Sequence, residues 1–160
     1  SRDVSRLASR VSPAARCLMR AFWPRKVSLP GLPRGEAFRG KPGALTIVFP
    51  AKRSLPRELT AGTGTVAIRL TSHLIARALA RQFGPITGTS ANRSGKLAQR
   101  TVAGVLRQLG TRPEIALMLD SGPTRGGKPS TIVDTTTNPP AILREGAVNR
   151  KQIAKVIKIT

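Results

Sequence analysis

Ala44-Leu45-Thr46-Ile47-Val48-Phe49 and, after a connection, Thr65-Val66-Ala67-Ile68-Arg69-Leu70 decide how this chain folds. The first stretch is short, apolar and partly β-branched, which predicts a buried strand. Pro50 to Gly64 carries proline, glycine and basic residues and reads as a connection. Thr65–Leu70 predicts a second strand. Ser72 then reads as the cap of a helix running to about Phe83, with Leu74, Ile75, Ala78 and Leu79 on its buried face and Gly84 as its stop.

The same alternation continues downstream. A short strand at Pro85–Gly88 is expected to lead into Thr89-Ser90-Ala91-Asn92. Thr101 caps a predicted helix through Leu109, closed by Gly110. Ile115–Leu119, Thr131–Asp134 and Ala141–Leu143 read as strands, and Asn149 as the cap of a last helix carrying Ile153, Val156 and Ile157. Interleaved strands and helices define an α/β class with a mixed sheet. There is no internal repeat.

Upstream, residues 13–23 read as a helix with Leu18, Met19, Phe22 and Trp23 on one face and Pro24 after it. Residues 25–42 differ, with three prolines, three glycines and five Lys/Arg against one Glu. This is the chemistry of an inserted loop or a linker. Residues 1–26 are rich in arginine and hold one acid, Asp3. That composition fits a flexible arm, a helix truncated at its start, or an organellar transit peptide. The first residue is Ser1 rather than Met, so a fragment or a processed product is expected.

The chain has 160 residues, 28 Lys/Arg against 7 Asp/Glu and a net charge of +21. Such a length suits one domain with a real core. The charge favours anionic partners such as nucleotides, RNA or acidic lipid surfaces. No run reaches the ~20 apolar residues of a membrane helix. A single Cys and a single His exclude an internal disulfide and most metal clusters, so no metal ligands are expected. A reducing, intracellular setting is the default on the cysteine count, and a cytoplasmic location is expected. Cys17 falls in an apolar helix pattern and reads as a small core residue. His73, at a helix start, is either a capping or surface group or a ligand contact.

The chain lacks a Walker P-loop and a dinucleotide-binding glycine fingerprint. Four polar clusters instead fall where strands end, the ligand-binding end of open α/β sheets. Gly88-Thr89-Ser90-Ala91-Asn92-Arg93-Ser94-Gly95 and Gly122–Thr131 are either ordinary turns or cradles for phosphate or carboxylate oxygens. Arg144, before Glu145-Gly146, either forks onto an anion or pairs with a neighbouring acid. Arg69 interrupts an apolar strand and needs an anionic partner or an open cavity.

Taken in order, these motifs resemble the YrdC-like domain of the threonylcarbamoyl-adenylate synthases. The resemblance rests on Phe22-Trp23-Pro24 with Gly43-Ala44-Leu45-Thr46, Leu59-Thr60-Ala61-Gly62, Thr65 to Arg69 with His73, and Thr89-Ser90-Ala91-Asn92 with Ser94-Gly95. It continues through Leu119-Asp120-Ser121-Gly122, Ser130-Thr131-Ile132-Val133-Asp134 and Ile142-Leu143-Arg144-Glu145-Gly146-Ala147. It covers about residues 10–157 and implies a twisted mixed sheet flanked by helices around a basic concave cavity. It implies synthesis of threonylcarbamoyl-AMP and pyrophosphate from L-threonine, bicarbonate and ATP, with Mg2+ on the nucleotide. A downstream threonylcarbamoyl transferase complex would then modify tRNA.

By motif position, the resemblance implies threonine contacts at Arg69, Ser90 and Ser130 and ATP contacts at Thr65, Asn92, Arg100 and Arg144. It implies no protein nucleophile, because positioning does most of the work. Three departures stand out. The family's upstream segment, with a Lys-x-Arg motif, has no match before Phe22, so residues 1–160 are expected to form a single, N-terminally incomplete domain. Residues 25–42 split a motif that is otherwise continuous, and Thr71 replaces a usual proline.

The competing reading is a module that binds double-stranded RNA or tRNA without making the adenylate. The charge favours it, while one Trp, four Phe and no Tyr leave few stacking platforms. A third reading, the related domain of hydrogenase-maturation carbamoyl transferases, lacks its usual zinc-finger and acylphosphatase-like neighbours here.

Overall fold

The computed structural model describes residues 4–24, 43–124 and 126–160. They fall into two compact units, one comprising residues up to Pro85 together with Lys128–Thr160, the other Ile86–Gly127. The segment 25–42 lies outside the described residues.

The first unit is built on a mixed sheet in the order β2-β1-β3-β4. Its strands are β1 (Leu45–Pro50), β2 (Thr65–Arg69), β3 (Thr131–Asp134) and β4 (Ala141–Arg144). β1 runs antiparallel to β2 and parallel to β3, and β3 runs antiparallel to β4. Side chains alternate across a strand, and the two faces separate accordingly. Leu45, Ile47, Phe49 and Val133 are fully buried on one face. Val66 and Ile68 of β2 pack against the same core.

Helix α2 (Pro13–Phe22) covers that face with Ala15, Leu18 and Phe22. Ser12 accepts a hydrogen bond from the Ala15 amide and Pro13 occupies the first turn, so the sequence itself starts this helix. Trp23 ends it with a buried indole whose Nε1–H donates to the Leu45 carbonyl at 3.0 Å. The Gly43 amide donates to the Phe22 carbonyl at 3.1 Å. The two halves of the split motif thus meet again at the entry to β1.

Two short helices are additional to the sequence reading. In α1 (Val4–Leu7), Val4 is buried, and the following Ala8 bridges Ala51, so this stretch is core rather than a free arm. α3 (Arg57–Thr60) ends on Ala61 in the left-handed region. α6 (Arg150–Ala154) opens with the expected Asn149, reinforced by Gln152 in a reciprocal capping box. Ile153 is buried, while Val156 and Ile157 lie beyond the helix end.

Several expectations are corrected. The N-cap position of α4 (Leu74–Phe83) falls on His73, not Ser72, without a side-chain capping bond, and the helix buries none of its residues. Its apolar face was expected inside, yet Leu74 is 67% and Phe83 74% exposed. Cys17 is exposed rather than a core residue, because the buried face of α2 follows Ala15, Leu18 and Phe22. Pro85–Gly88 and Ile115–Leu119 are not strands. An apolar run becomes a strand only when its backbone pairs with a neighbour, and neither run has one among the described residues.

The second unit carries α5 (Val102–Leu109), with Thr101 and Gly110 as its caps, as expected. Among the described residues, no helix is long and apolar enough to cross a membrane.

Candidate functional site

The face of the sheet opposite the core carries several of the candidate residues. Thr46 of β1 stands opposite Arg69 of β2 and beside Ile132 of β3, which in turn stands opposite Arg144 of β4. One row therefore crosses all four strands with an arginine at each end. Three strand spacings of ~4.8 Å separate the two arginine backbones by about 14 Å. Both guanidinium groups lean inward. Arg69 Nε donates to the Gly43 carbonyl at 2.6 Å, just ahead of β1. Arg144 donates to the Ser130 carbonyl from Nη2 at 2.8 Å and from Nε at 3.2 Å, just ahead of β3.

Each arginine is thus fixed by main-chain carbonyls, and neither meets a carboxylate among the described residues. Both residues remain exposed. Partial desolvation, and next the positive charge of Arg144, lower the Arg69 pKa from the ordinary arginine value. Two like charges held toward one another are a poor arrangement without an anion between them.

Two close approaches hold this geometry. At Gly146 a Cβ would run into the Pro129 carbonyl and come within 2.7 Å of the Ser130 carbonyl carbon. Gly43 has a positive φ, and a Cβ there would lie 2.9 Å from the Leu70 carbonyl oxygen. Buried Thr131 adds a tie: its hydroxyl oxygen accepts from the Gly146 and Val148 amides and its proton goes to the Val148 carbonyl. Arg144-Glu145-Gly146 is therefore clamped to the start of β3.

Ser130 is buried, and its hydroxyl lies 2.8 Å from that of Thr46. Arg144 Nη2 reaches the Ser130 hydroxyl only at 3.4 Å. Thr65 sits four residues before Arg69 on the same strand and face, its hydroxyl 2.8 Å from that of Thr63. Three of the seven expected site residues (Thr65, Arg69 and Arg144) thus lie in strands of one sheet, and a fourth, Ser130, stands just ahead of β3. Thr46 completes the group. Its advance signals were a hydroxyl inside an apolar strand and its place in the Gly43-Ala44-Leu45-Thr46 motif.

Ser90, Asn92 and Arg100 lie in the second unit. Ser90 is exposed, and its carbonyl accepts from the Asn92 amide. Asn92 Nδ2 donates to the carbonyls of Lys96 at 2.8 Å and Arg93 at 3.0 Å, and its buried Oδ1 has no partner among the described residues. Arg100 Nε donates to the Thr124 carbonyl at 2.8 Å. His73 is exposed and makes no side-chain cap bond. No group of three or more His, Cys, Asp or Glu among the described residues is placed to hold a metal ion.

These features define an α/β domain presenting paired arginines and a serine–threonine hydroxyl pair on one face of a mixed sheet. Residues 34–146 match the Sua5_yciO_yrdC family model, whose description reads "Telomere recombination". The chain belongs to this family. It is 38% identical over 160 residues to the threonylcarbamoyl-AMP synthase of Bacillus subtilis, covering 97% of this chain and 40% of that protein. The synthase of Pyrococcus abyssi is 34% identical over 152 residues, covering 94% and 39% respectively.

Among solved structures, P. abyssi Sua5 complexed with L-threonine superimposes with a TM-score of 0.76 at 34% identity, covering 96% of this chain and 41% of that one. E. coli YciO, at 20% identity and a TM-score of 0.68, shares the fold. The chain spans about 40% of the length of the B. subtilis and P. abyssi proteins.

Proposed function

We propose that this chain carries out, or forms part of, an L-threonylcarbamoyladenylate synthase. The reaction joins L-threonine, bicarbonate and ATP, releasing pyrophosphate and water and leaving threonylcarbamoyl-AMP. The observation that carries this reading is the row Arg69–Thr46–Ile132–Arg144, with two inward-leaning guanidinium groups beside a buried serine hydroxyl. An amino-acid carboxylate and a phosphate are the anions this arrangement suits. The names of the relatives support the same substrates.

In this reading Arg69 and Ser130 take the threonine carboxylate, and Ser90 is assigned to the same ligand by motif position alone. Arg144 faces the nucleotide phosphates, where charge builds as the carbamoyl oxygen attacks the α-phosphorus. Thr65 is assigned a further nucleotide contact from β2, and Asn92 and Arg100 are assigned nucleotide roles by motif position alone. The unpartnered Asn92 Oδ1 is an acceptor and so suits a ligand donor, such as an adenine amine or ribose hydroxyl, rather than a phosphate. Mg2+ enters with the ATP as part of the substrate. The two units are read as one YrdC-like domain because the family match runs through both. A cytoplasmic setting, delivery to a threonylcarbamoyl transferase complex and modification of tRNA complete the proposal.

Threonine-dependent pyrophosphate release tests it, with ATP, Mg2+ and bicarbonate present and L-serine and no amino acid as controls. Release that ignores the amino acid overturns it, and no release removes its first alternative, catalysis by these residues alone. The net charge of +21 favours a second reading, an RNA-binding module without adenylate formation. Salt-sensitive binding of double-stranded RNA without pyrophosphate release selects that reading.

A further inference from the structure

Resting on the reading just given, we propose that Thr46 is a positioning residue that turns Ser130 into a hydrogen-bond donor toward the threonine carboxylate. The argument is one of proton accounting. A serine hydroxyl has one proton and two acceptor sites. The Thr46 and Ser130 oxygens are 2.8 Å apart, and either residue has the proton to make that bond. Two features fix the direction.

First, Thr46 is buried in the middle of the sheet, and Ser130 is the partner of its hydroxyl among the described residues. Ser130 is buried as well, so two protons share one bond and one of them needs a further acceptor. Second, Arg144 Nη2, an obligate donor, points at the Ser130 oxygen from 3.4 Å. That oxygen is therefore the acceptor of the pair, Thr46 donates to it, and the Ser130 proton is the one left over. The only use for that proton on an arginine-lined face is an anionic acceptor. The carboxylate held by Arg69, directly across from Thr46 in the strand register, supplies it.

Thr46 thus acts through Ser130 and does not touch substrate. Thr46→Val keeps the shape and the β preference and removes the hydroxyl. With its donor gone, Ser130 no longer has a fixed direction for its proton.

The test is calorimetric titration of the chain with L-threonine and, separately, with ATP. Four proteins are compared with wild type: Thr46→Val, Thr46→Ser, Ser130→Ala and the double variant Thr46→Val/Ser130→Ala. The expected results are a roughly tenfold weaker threonine Kd for Thr46→Val, unchanged ATP affinity and recovery in Thr46→Ser. In the double variant, Thr46→Val adds nothing beyond Ser130→Ala, because its effect passes through that hydroxyl. Wild-type threonine affinity in Thr46→Val overturns the inference alone. So do additive losses in the double variant, or equal losses for ATP and threonine, which mark a general packing effect. Absence of threonine binding by the wild-type chain overturns the synthase reading and this inference together.

Discussion

Arg69 and Arg144 occupy opposite edge strands of one four-stranded sheet, yet they stand in the same cross-strand row and lean toward each other. Each is tethered through its Nε to a main-chain carbonyl, which fixes the guanidinium plane and aims the rest of it at whatever lies between. Both glycines that permit close backbone approach, Gly43 and Gly146, flank these tethers.

Arg69→Ala is expected to weaken L-threonine binding about tenfold to a hundredfold while changing ATP affinity little. Arg144→Ala is expected to do the reverse. Calorimetry with each ligand checks both. Unchanged threonine affinity in the first variant, or unchanged nucleotide affinity in the second, removes that arginine from its assigned role.

The charge pair also predicts an anion effect on stability. The Arg69 pKa is lowered in the folded chain, first by desolvation and then by Arg144, so protonated Arg69 opposes folding. For such a group, stability rises as pH climbs through its folded pKa, which for arginine lies far above neutrality. Around neutral pH the charge persists, and relief must come from a bound anion. Pyrophosphate at a hundred times its Kd adds about 2.7 kcal/mol, a Tm rise of about 5–10 °C. Added salt and Arg144→Ala both reduce that rise in a thermal melt. A rise insensitive to either places the anion elsewhere.

Gly146→Ala drives a Cβ into the backbone of residues 129–131 and is expected to destabilise the fold by about 3 kcal/mol. Gly88→Ala meets open space and is expected to stay within about 0.5 kcal/mol of wild type. Urea titrations of the two variants provide the comparison. Equal stabilities contradict the close approach at Gly146.

Strands β1 to β4 and the helix caps at Asn149 and Thr101 were legible because each rests on local chemistry. Branched residues favour the strands, and short polar side chains can bond their own backbone. The cross-strand row was not legible, since register depends on partners far apart in sequence. That is why Arg69 and Arg144 were individually suspected while Thr46, between them, was not. Periodicity also misled at α4, which has an apolar stripe and no covering element among the described residues. The same holds for Ile115–Leu119, which has no strand beside it.

The exposed stripe of α4 makes its own prediction. Leu74→Gln and Phe83→Gln are each expected to shift stability by no more than about 0.5 kcal/mol and to improve solubility. A buried residue of this size costs about 3 kcal/mol when truncated. Thermal melts and the concentration limit before precipitation distinguish the two cases. A large loss of stability means that the face is covered in solution.

The bond from the Trp23 indole to Leu45 has a spectroscopic consequence. Trp23 is the sole tryptophan, and the chain has no tyrosine. The residue is 4% exposed, and its ring centroid lies 6.4 Å from that of Phe49. Intrinsic emission excited at the red edge of the ultraviolet band therefore reports from one place, the inner side of β1, one residue before Thr46. Loss of the sheet shifts that emission toward longer wavelength. Ligand arriving at the outer face perturbs it only through the strand, so folding and occupancy can be followed in one cuvette without a label.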